Sequence, residues 1–228
     1  MNTPQQISPQ TTSPETIRDG NLDGFPEGVT PNETLYDIGT ARAVRAFTDE
    51  MVPEALTETL VWAATRASSP NNTQLWHYVV VRDPEQRRAV SESLQVFLGW
   101  IDSLPPPASE SDAGVRRGAR GLLTGLADVP VLIFVCVEHR YPERRPDERY
   151  LWSTVGTAAQ NLIVAARSLG LGATLTMLHV ANESSVRSLL QLPDGVELGA
   201  MIALGWPTRT YGPIRRLPLA DVTHHDRW

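Results

Sequence analysis

The chain has 228 residues, 41% hydrophobic and 20% charged, which is typical of a globular protein large enough to bury its own core. A net charge of −6 without a basic stripe argues against nucleic acid as the main partner, and the single cysteine excludes an intrachain disulfide. The sequence shows neither a basic and apolar leader nor an apolar run of the roughly 18 residues that would span a membrane. We therefore expect a cytoplasmic protein without membrane contact.

The first elements follow a polar tail. Residues 1–31 contain five prolines and few apolar residues, which predicts a segment that is either disordered or laid along a partner subunit. Residues 32–228 are then expected to form one domain. Asn32 predicts the cap of a first helix, and Pro53 predicts the start of a second helix that ends near Ser68. A strand over 77–81 follows, closed by a turn signal at Asp83-Pro84.

The second half of the chain alternates strands and helices. From Gly99 to about Gly114, three consecutive prolines predict an irregular segment, of the kind that covers a substrate as a lid. An apolar run over 131–137 predicts a strand buried on both faces, and helical spacing predicts a long helix over 152–169. A short strand over 173–176, a helix over 184–190 and a strand over 197–205 follow. After Pro207 the chain is predicted to be extended.

Two pairs of arginines are candidates for binding an anion. Arg42 and Arg45 are expected at or near a helix, where residues three apart share a face. Paired guanidinium groups suit a phosphate, but a solvated helix face explains them as well. The same two interpretations apply to Arg215 and Arg216 near the C-terminus.

The polar loop before the first strand is a candidate for binding a flat polar ring. Amides such as those of Asn72 and Gln74 both donate and accept, as the rim of an isoalloxazine ring requires. The alternative is a turn whose asparagines adopt left-handed geometry. Metal is not expected, because the adjacent His224 and His225 lack further ligands at useful spacing.

These motifs together resemble the FMN-dependent nitroreductase family. Five segments carry the resemblance, in family order: Arg42–Phe47, Val52–Glu54, Ala67–Trp76, the central helix with Leu169–Gly172, and Leu204–Pro207 with Arg215–Pro218. The resemblance covers roughly residues 35–228. It implies an α+β fold with a central mixed, mainly antiparallel sheet, flanking helices and extended terminal arms, in a homodimer with FMN at the subunit interface.

The resemblance also implies a set of cofactor-binding residues. Arg42 is similar to a ligand of the FMN phosphate and ribityl chain, and Arg45 to the cation near flavin N1 and O2, which favours flavin reduction. Ser69 looks like a residue that contacts the flavin from the other subunit. The full implied set is Arg42, Ala43, Arg45, Ser69, Asn72, Gln74, Thr176, Met177, Leu178, Arg215 and Arg216.

Parts of that set follow from particular positions in the family pattern. Asn72 and Gln74 look like the amides that hold the ring, and the backbone of Thr176–Leu178 occupies the segment that approaches flavin N5. Arg215 and Arg216 resemble the C-terminal phosphate ligands. Two departures stand out, since Ala43 replaces a frequent serine and Leu75 replaces the usual proline before Trp76.

The implied function is that of an oxidoreductase. NADH or NADPH would donate a hydride to FMN, and a nitroaromatic, quinone or similar electron-poor acceptor would be reduced in a ping-pong cycle. No catalytic side chain is expected, because the flavin carries the chemistry. Two alternatives stay open: another flavin reaction on the same fold, such as reductive dehalogenation, flavin cleavage or oxidation of a peptide heterocycle, and a protein that sequesters FMN without turnover.

Overall fold

The computed structural model describes residues 22, 24–26, 28–212 and 214–228. These residues belong to two compact units, one made of the residues up to Ala41 and from Tyr211 onward, the other of Arg42–Thr210. Most of the predicted tail over 1–31 lies outside the described residues, so its character stays a prediction, as does the single domain over 32–228.

The described residues form eight α-helices, three short 3-10 helices and four strands. The helices are α1 (Glu33–Thr40), α2 (Glu54–Ala64), α3 (Pro84–Leu94), α4 (Val96–Ser103), α5 (Glu110–Thr124), α6 (Glu148–Ser168), α7 (Glu183–Leu189) and α8 (Leu219–Val222). The strands are β1 (Trp76–Val81), β2 (Val131–Glu138), β3 (Gly172–Thr176) and β4 (Val196–Gly205). All four predicted strands are therefore present, each within a residue or so of its expected start.

The four described strands form one antiparallel sheet within Arg42–Thr210, in the order β1-β2-β4-β3. The central strands β2 and β4 are buried along nearly their whole length, which explains their uninterrupted apolar sequences. An isolated parallel bridge joins Ala43 to Ala173 of β3. The predicted α+β fold with a mixed, mainly antiparallel sheet is confirmed.

Helices cover both faces of this sheet. Helices α2 and α6 pack on one face, around alternate β2 residues such as Ile133 and Val135. Helices α3, α4, α5 and α7 pack on the other face, around Leu132 and Phe134. The pleat of β2 sends successive side chains to opposite faces, so a single apolar strand serves both cores.

A bulge between β2 and β4 brings α6 close to the sheet. The pairing shifts between Val135 and Cys136, which leaves Gly199 as an extra residue on β4. A Cβ at Gly199 would lie 2.8 Å from Val155 Cγ1 of α6 and 2.9 Å from the carbonyl oxygen of Val135. Glycine is therefore required here because a helix and a neighbouring strand both approach the backbone.

The middle of the chain differs from the expectation at two places. The strand ends at Val81, just before Asp83-Pro84 as predicted, but these two residues also begin α3, where the Asp83 carboxylate accepts a hydrogen bond of 2.7 Å from the Gln86 N–H. The segment predicted to be an irregular lid, Gly99–Gly114, consists mainly of α4 and the start of α5. The three prolines fill only the short connection between those helices, so they mark a helix boundary and not a long loop.

The other unit contains the two short terminal helices. Asn32 caps α1 as predicted, its side-chain oxygen accepting from the Leu35 N–H at 2.9 Å. Leu22 is buried and packs where a side chain at Gly39 would otherwise lie. The described residues between Tyr211 and α8 form neither a helix nor a strand, and the extended end stays a prediction. Among the described residues, no helix combines the length and the apolar character needed to cross a bilayer.

Candidate active site

The segment that carries Arg42 and Arg45 is extended and not helical, which corrects the sequence interpretation. Helix α1 ends at Thr40, and the Val44 N–H then donates to the Ala173 carbonyl of β3 at 3.0 Å. In extended backbone, residues three apart lie on opposite sides. The two arginines therefore do not present a common face through helical spacing, although both lie along the edge of β3.

Close approach of two backbones holds this segment on the sheet. A Cβ at Gly172 would lie 2.7 Å from Val44 Cγ1 and 2.9 Å from Val44 Cβ, so only glycine leaves room for the buried Val44 side chain. Further along, the Thr48 N–H donates to the Trp206 carbonyl at 2.9 Å. The backbone around Arg45 is thus fixed on both sides before any ligand binds.

Arg45 offers a positive charge at this edge. Its side chain is half-buried, and among the described residues no carboxylate forms an ion pair with it. Arg42 is exposed, and Ala43 is exposed with its backbone in the bridge to Ala173. A half-buried cation without a carboxylate partner suits an anionic ligand, because desolvation strengthens the attraction.

The polar loop adopts an unusual backbone conformation. Asn71, Asn72 and Gln74 have φ values of 49°, 54° and 52°, in the left-handed region. Asparagine tolerates this region, whereas glutamine is strained there by about 1 to 3 kcal/mol. The Ser69 Oγ accepts a hydrogen bond of 3.1 Å from the Gln74 N–H and so holds the strained residue. The turn interpretation is correct for the backbone, and the side chains of Asn72 and Gln74 remain exposed.

Both ends of the loop are anchored to the sheet and to α6. The Thr157 hydroxyl donates to the Ser68 carbonyl at 3.1 Å, and the Glu138 N–H donates to the Leu75 carbonyl at 2.9 Å. Leu75, which departs from the family proline, is buried in the core under α6. Hydrophobic packing therefore provides the rigidity that proline would otherwise supply.

The segment Thr176–Leu178 ends β3 with an apolar exposed surface. Leu178 is buried in the core, and its N–H donates to the Thr176 Oγ1 at 3.2 Å. Met177 is 42% exposed and Leu175 is 41% exposed. Since β3 runs parallel to the Arg42–Arg45 segment from the bridge at Ala173, this apolar surface and Arg45 lie toward the same end of the strand.

His179, which follows this segment, belongs to the core and not to the surface. It is fully buried, and its ring Nε2 lies 3.3 Å from the Leu198 carbonyl, to which it donates. The ring Nδ1 has no hydrogen-bond partner in the described part of the chain. Burial lowers the pKa of His179 below its ordinary value, so the ring is neutral at pH 7.

Arg215 and Arg216 are exposed and lie in the other compact unit, just before α8. The Arg216 guanidinium donates to the carbonyl of Arg215 at 3.0 Å. Their predicted role beside the phosphate, together with Arg42, stays a prediction.

Sequence reasoning missed two glycines at this site. Gly172 accommodates Val44, and Gly118 of α5 lies against Arg45. The signal for Gly118 was a glycine inside a helix, where it is unfavourable by about 1 kcal/mol relative to alanine. The sequence hides that signal, because the prolines before Gly114 predict an irregular segment where α5 begins.

Comparison with known proteins identifies the family. The sequence model of the nitroreductase family matches residues 38–206, which include the Arg42–Arg45 segment, the polar loop and all four strands. The chain belongs to the nitroreductase family. The match ends before Arg215 and Arg216.

Individual relatives of the family agree with this result. A Methanothermobacter thermautotrophicus protein assigned as an NADH dehydrogenase/NAD(P)H nitroreductase is 29% identical over 203 residues, covering 88% of this chain and 90% of its own. The FMN and NADPH-dependent nitroreductase of Sphigopyxis sp. strain HMH superposes with a TM-score of 0.67 at 20% identity, covering 86% of this chain and 100% of its own. An NADPH:FMN oxidoreductase from Vibrio harveyi superposes with a TM-score of 0.66 at 23% identity, covering 86% and 78%. The structural likeness establishes a nitroreductase fold.

Proposed function

We propose that this protein is an FMN-dependent oxidoreductase that uses NADH or NADPH to reduce nitroaromatics, quinones or similar electron-poor acceptors. The observation that carries the proposal is the half-buried Arg45, without a carboxylate partner in the described chain, at the same end of β3 as the exposed apolar Leu175 and Met177. A cation beside a flat apolar surface matches a flavin, whose ring is apolar on its faces and polar at its rim.

The residues present fit FMN in kind. Asn72 and Gln74 expose amides on a loop whose backbone is fixed by Ser69, so they can donate to and accept from the ring edge. Arg42, Arg215 and Arg216 would hold the phosphate, and the fixed backbone around Ala43 would hold the ribityl chain. Thr176, Met177 and Leu178 would lie beside the ring.

The protein itself would bind the FMN and adjust how readily the flavin is reduced. Arg45 would stabilise negative charge that develops at the N1–O2 side of the ring, because opposite charges attract strongly away from water. Met177 and Leu175 would exclude water from one side of the ring. When bound at these residues, FMN would supply the redox chemistry that links the reduced nicotinamide to the acceptor in the proposed ping-pong cycle.

A homodimer forms part of the proposal, with Ser69 contacting the FMN bound to its neighbour. Large aromatic side chains are exposed on the outer side of the α2–α6 layer, with Trp62 at 61% and Trp152 at 45%. An open cavity of about 410 Å³ lies on the same layer, between Arg66–Ser68 and α6. Exposed aromatic residues are typical of protein interfaces. Sedimentation at several concentrations should give twice the mass of the chain, and a monomer that retains FMN would contradict the shared site.

The decisive experiment is an anaerobic titration of the purified protein. Its absorption spectrum and the cofactor released on denaturation should identify bound FMN. NADH or NADPH should bleach the flavin, and a nitroaromatic or menadione should restore the colour and sustain steady-state turnover. A cytoplasmic location stays a prediction that fractionation of the source cells can test.

Controls distinguish this function from simple storage of the cofactor. A flavoprotein that is bleached by neither nucleotide would contradict the oxidoreductase proposal. Stable FMN binding without turnover of either acceptor would favour sequestration. Replacing Arg45 with Gln should weaken FMN binding by roughly tenfold or more, the loss expected for one charge-assisted hydrogen bond. The neighbouring exposed Arg209 serves as a matched control, because it lies outside the proposed binding set.

A further inference from the structure

Arg45 lies against the middle of α5, at a helical residue without a side chain. A Cβ built at Gly118 would be 3.2 Å from Arg45 Cδ, 3.5 Å from Nη1 and 3.8 Å from Nε. A contact of 3.2 Å is tighter than ordinary van der Waals packing, so a larger residue at position 118 would require the Arg45 side chain to move away from α5. The missing side chain of Gly118 therefore gives Arg45 the space that it occupies beside the helix.

The charges on α5 leave this guanidinium unneutralised. Glu110 forms an ion pair with Arg117 at 2.6 Å, and Asp112 forms one with Arg116 at 2.6 Å. The nearby Asp102 of α4 pairs with Arg120. These acids are thus engaged by arginines of α5 itself, and the α5 residue whose added Cβ would meet Arg45 is the uncharged Gly118.

We propose that Gly118 is a positioning residue, which sets the reactivity of the flavin by fixing Arg45 beside the ring. The proposal rests on the proposed function, since it assigns Arg45 to the N1–O2 side of FMN. Two glycines then leave space for residues of the site. Gly172 leaves space for Val44, and Gly118 leaves space for the side chain of Arg45. A shift of the guanidinium by about 1 Å would weaken the hydrogen bond that Arg45 is proposed to make to the flavin ring. It would also weaken the electrostatic effect of Arg45 on flavin reduction.

Helix α5 also supplies a matched control. Gly121 lies one turn beyond Gly118, and a Cβ there would have no atom within 4 Å. Replacing either glycine adds the same intrinsic helix propensity, because both are inside the same helix. A difference between the two variants therefore reports the contact with Arg45 and not the stability of α5.

The test compares Gly118→Leu with Gly121→Leu in the full-length holoprotein. Three quantities are measured: the FMN dissociation constant, the midpoint potential of the bound flavin, and the thermal unfolding of the cofactor-free protein. Gly118→Leu should raise the dissociation constant about tenfold and lower the midpoint potential, approaching Arg45→Gln. Gly121→Leu should leave both at the wild-type values. Gly118→Ala, which adds only one methyl group, should shift both in the same direction by less.

The outcomes separate this inference from the proposed function. If wild-type protein binds no FMN, both are overturned. If Arg45→Gln alters the potential but Gly118→Leu and Gly118→Ala behave like Gly121→Leu, only the positioning role is overturned. If Gly118→Leu fails to fold, Gly118→Ala carries the comparison, since it favours the helix and still crowds Arg45 Cδ. Altered potential with unchanged unfolding of the cofactor-free protein supports the inference.

Discussion

One face of the sheet is covered by α2 and α6, whereas the other is covered by four helices, α3, α4, α5 and α7. The α2–α6 face is closed mainly by apolar contacts, in which Leu162, Ala158 and Ala159 of the long helix α6 are fully buried. A single helix of 21 residues provides most of this cover. Burial of apolar area therefore accounts for most of its stability.

The opposite face depends more on polar side chains that join one element to the next. Arg87 of α3 donates to the carbonyls of Ala127 and Val129. Asn182 donates to the Ser93 carbonyl at 2.9 Å, and Arg187 donates to the Val196 carbonyl at 2.6 Å. The Ser93 carbonyl lies in the last turn of α3, whereas the other three lie just before β2 or at the first residue of β4, where the chain passes from one element to the next. The difference teaches that a face covered by several separate elements needs polar side chains at the connections between them.

The largest expected effect is on the α6 face. Replacing Leu162 with Ala should lower the free energy of unfolding by about 2 to 5 kcal/mol, because it opens a cavity in a fully buried position. Urea unfolding measures the change. The same replacement at Leu219, which is exposed, should cost less than about 0.5 kcal/mol. Equal losses at both positions would mean that α6 does not form the core of this face.

A side chain added at the bulge tests the close approach of α6 to the sheet. Gly199→Ala should destabilise the protein by about 1 to 3 kcal/mol, because the new methyl group meets Val155 and the Val135 carbonyl. Trimming Val155 to Ala in the same chain should recover part of the loss, although the contact with the carbonyl persists. A double-mutant cycle by urea unfolding tests the coupling, and strict additivity of the two changes would contradict it.

On the opposite face, the hydrogen bonds of Arg87 can be removed to test the polar connection between elements. Arg87→Ala leaves the carbonyls of Ala127 and Val129 without their donor, which should cost about 1 to 3 kcal/mol. Arg88→Ala is the matched control, since its side chain is exposed on the same helix. If both variants unfold at the same urea concentration as the wild type, this face is held by apolar packing alone.

The smallest expected effect is a pH dependence from the same face. Burial lowers the folded-state pKa of His179, so the unfolded chain binds more protons once the pH falls below about 6.5. Stability should therefore decrease on acidification below pH 6.5, by at most about 1.4 kcal/mol per pH unit from this group. His179→Gln retains a donor for Leu198 and should flatten this slope. The exposed His225 provides the control, and an unchanged slope in His179→Gln would exclude the effect.

The two faces also differ in how far the sequence predicted them. The apolar spacing over 152–169 predicted α6, and the uninterrupted apolar run over 131–137 predicted β2, because burial on one helix face or on both strand faces leaves a recognisable apolar pattern. Helices α3, α4 and α5 were missed. Helix α3 is largely polar, and the glycines and prolines around α5 are typical of loops.

The candidate site shows the same division. Arg42, Arg45, Asn72 and Gln74 each allowed a second interpretation, and only the joint order of the five segments along the chain indicated the family. The backbone of Arg42–Arg45 was predicted wrongly, because it is determined by hydrogen bonds to β3, which lies far along the chain.

The sequence by itself determined the strands, the long helix and the chemistry that the site can offer, because each depends on local spacing or on the identity of a side chain. Only the tertiary structure decided that Gly172 lies under Val44, that Gly199 lies under Val155 and that Gly118 lies against Arg45. A glycine shows no partner in a sequence pattern. Its importance comes from the distant atom that fills the space of its missing side chain, and folding alone brings that atom there.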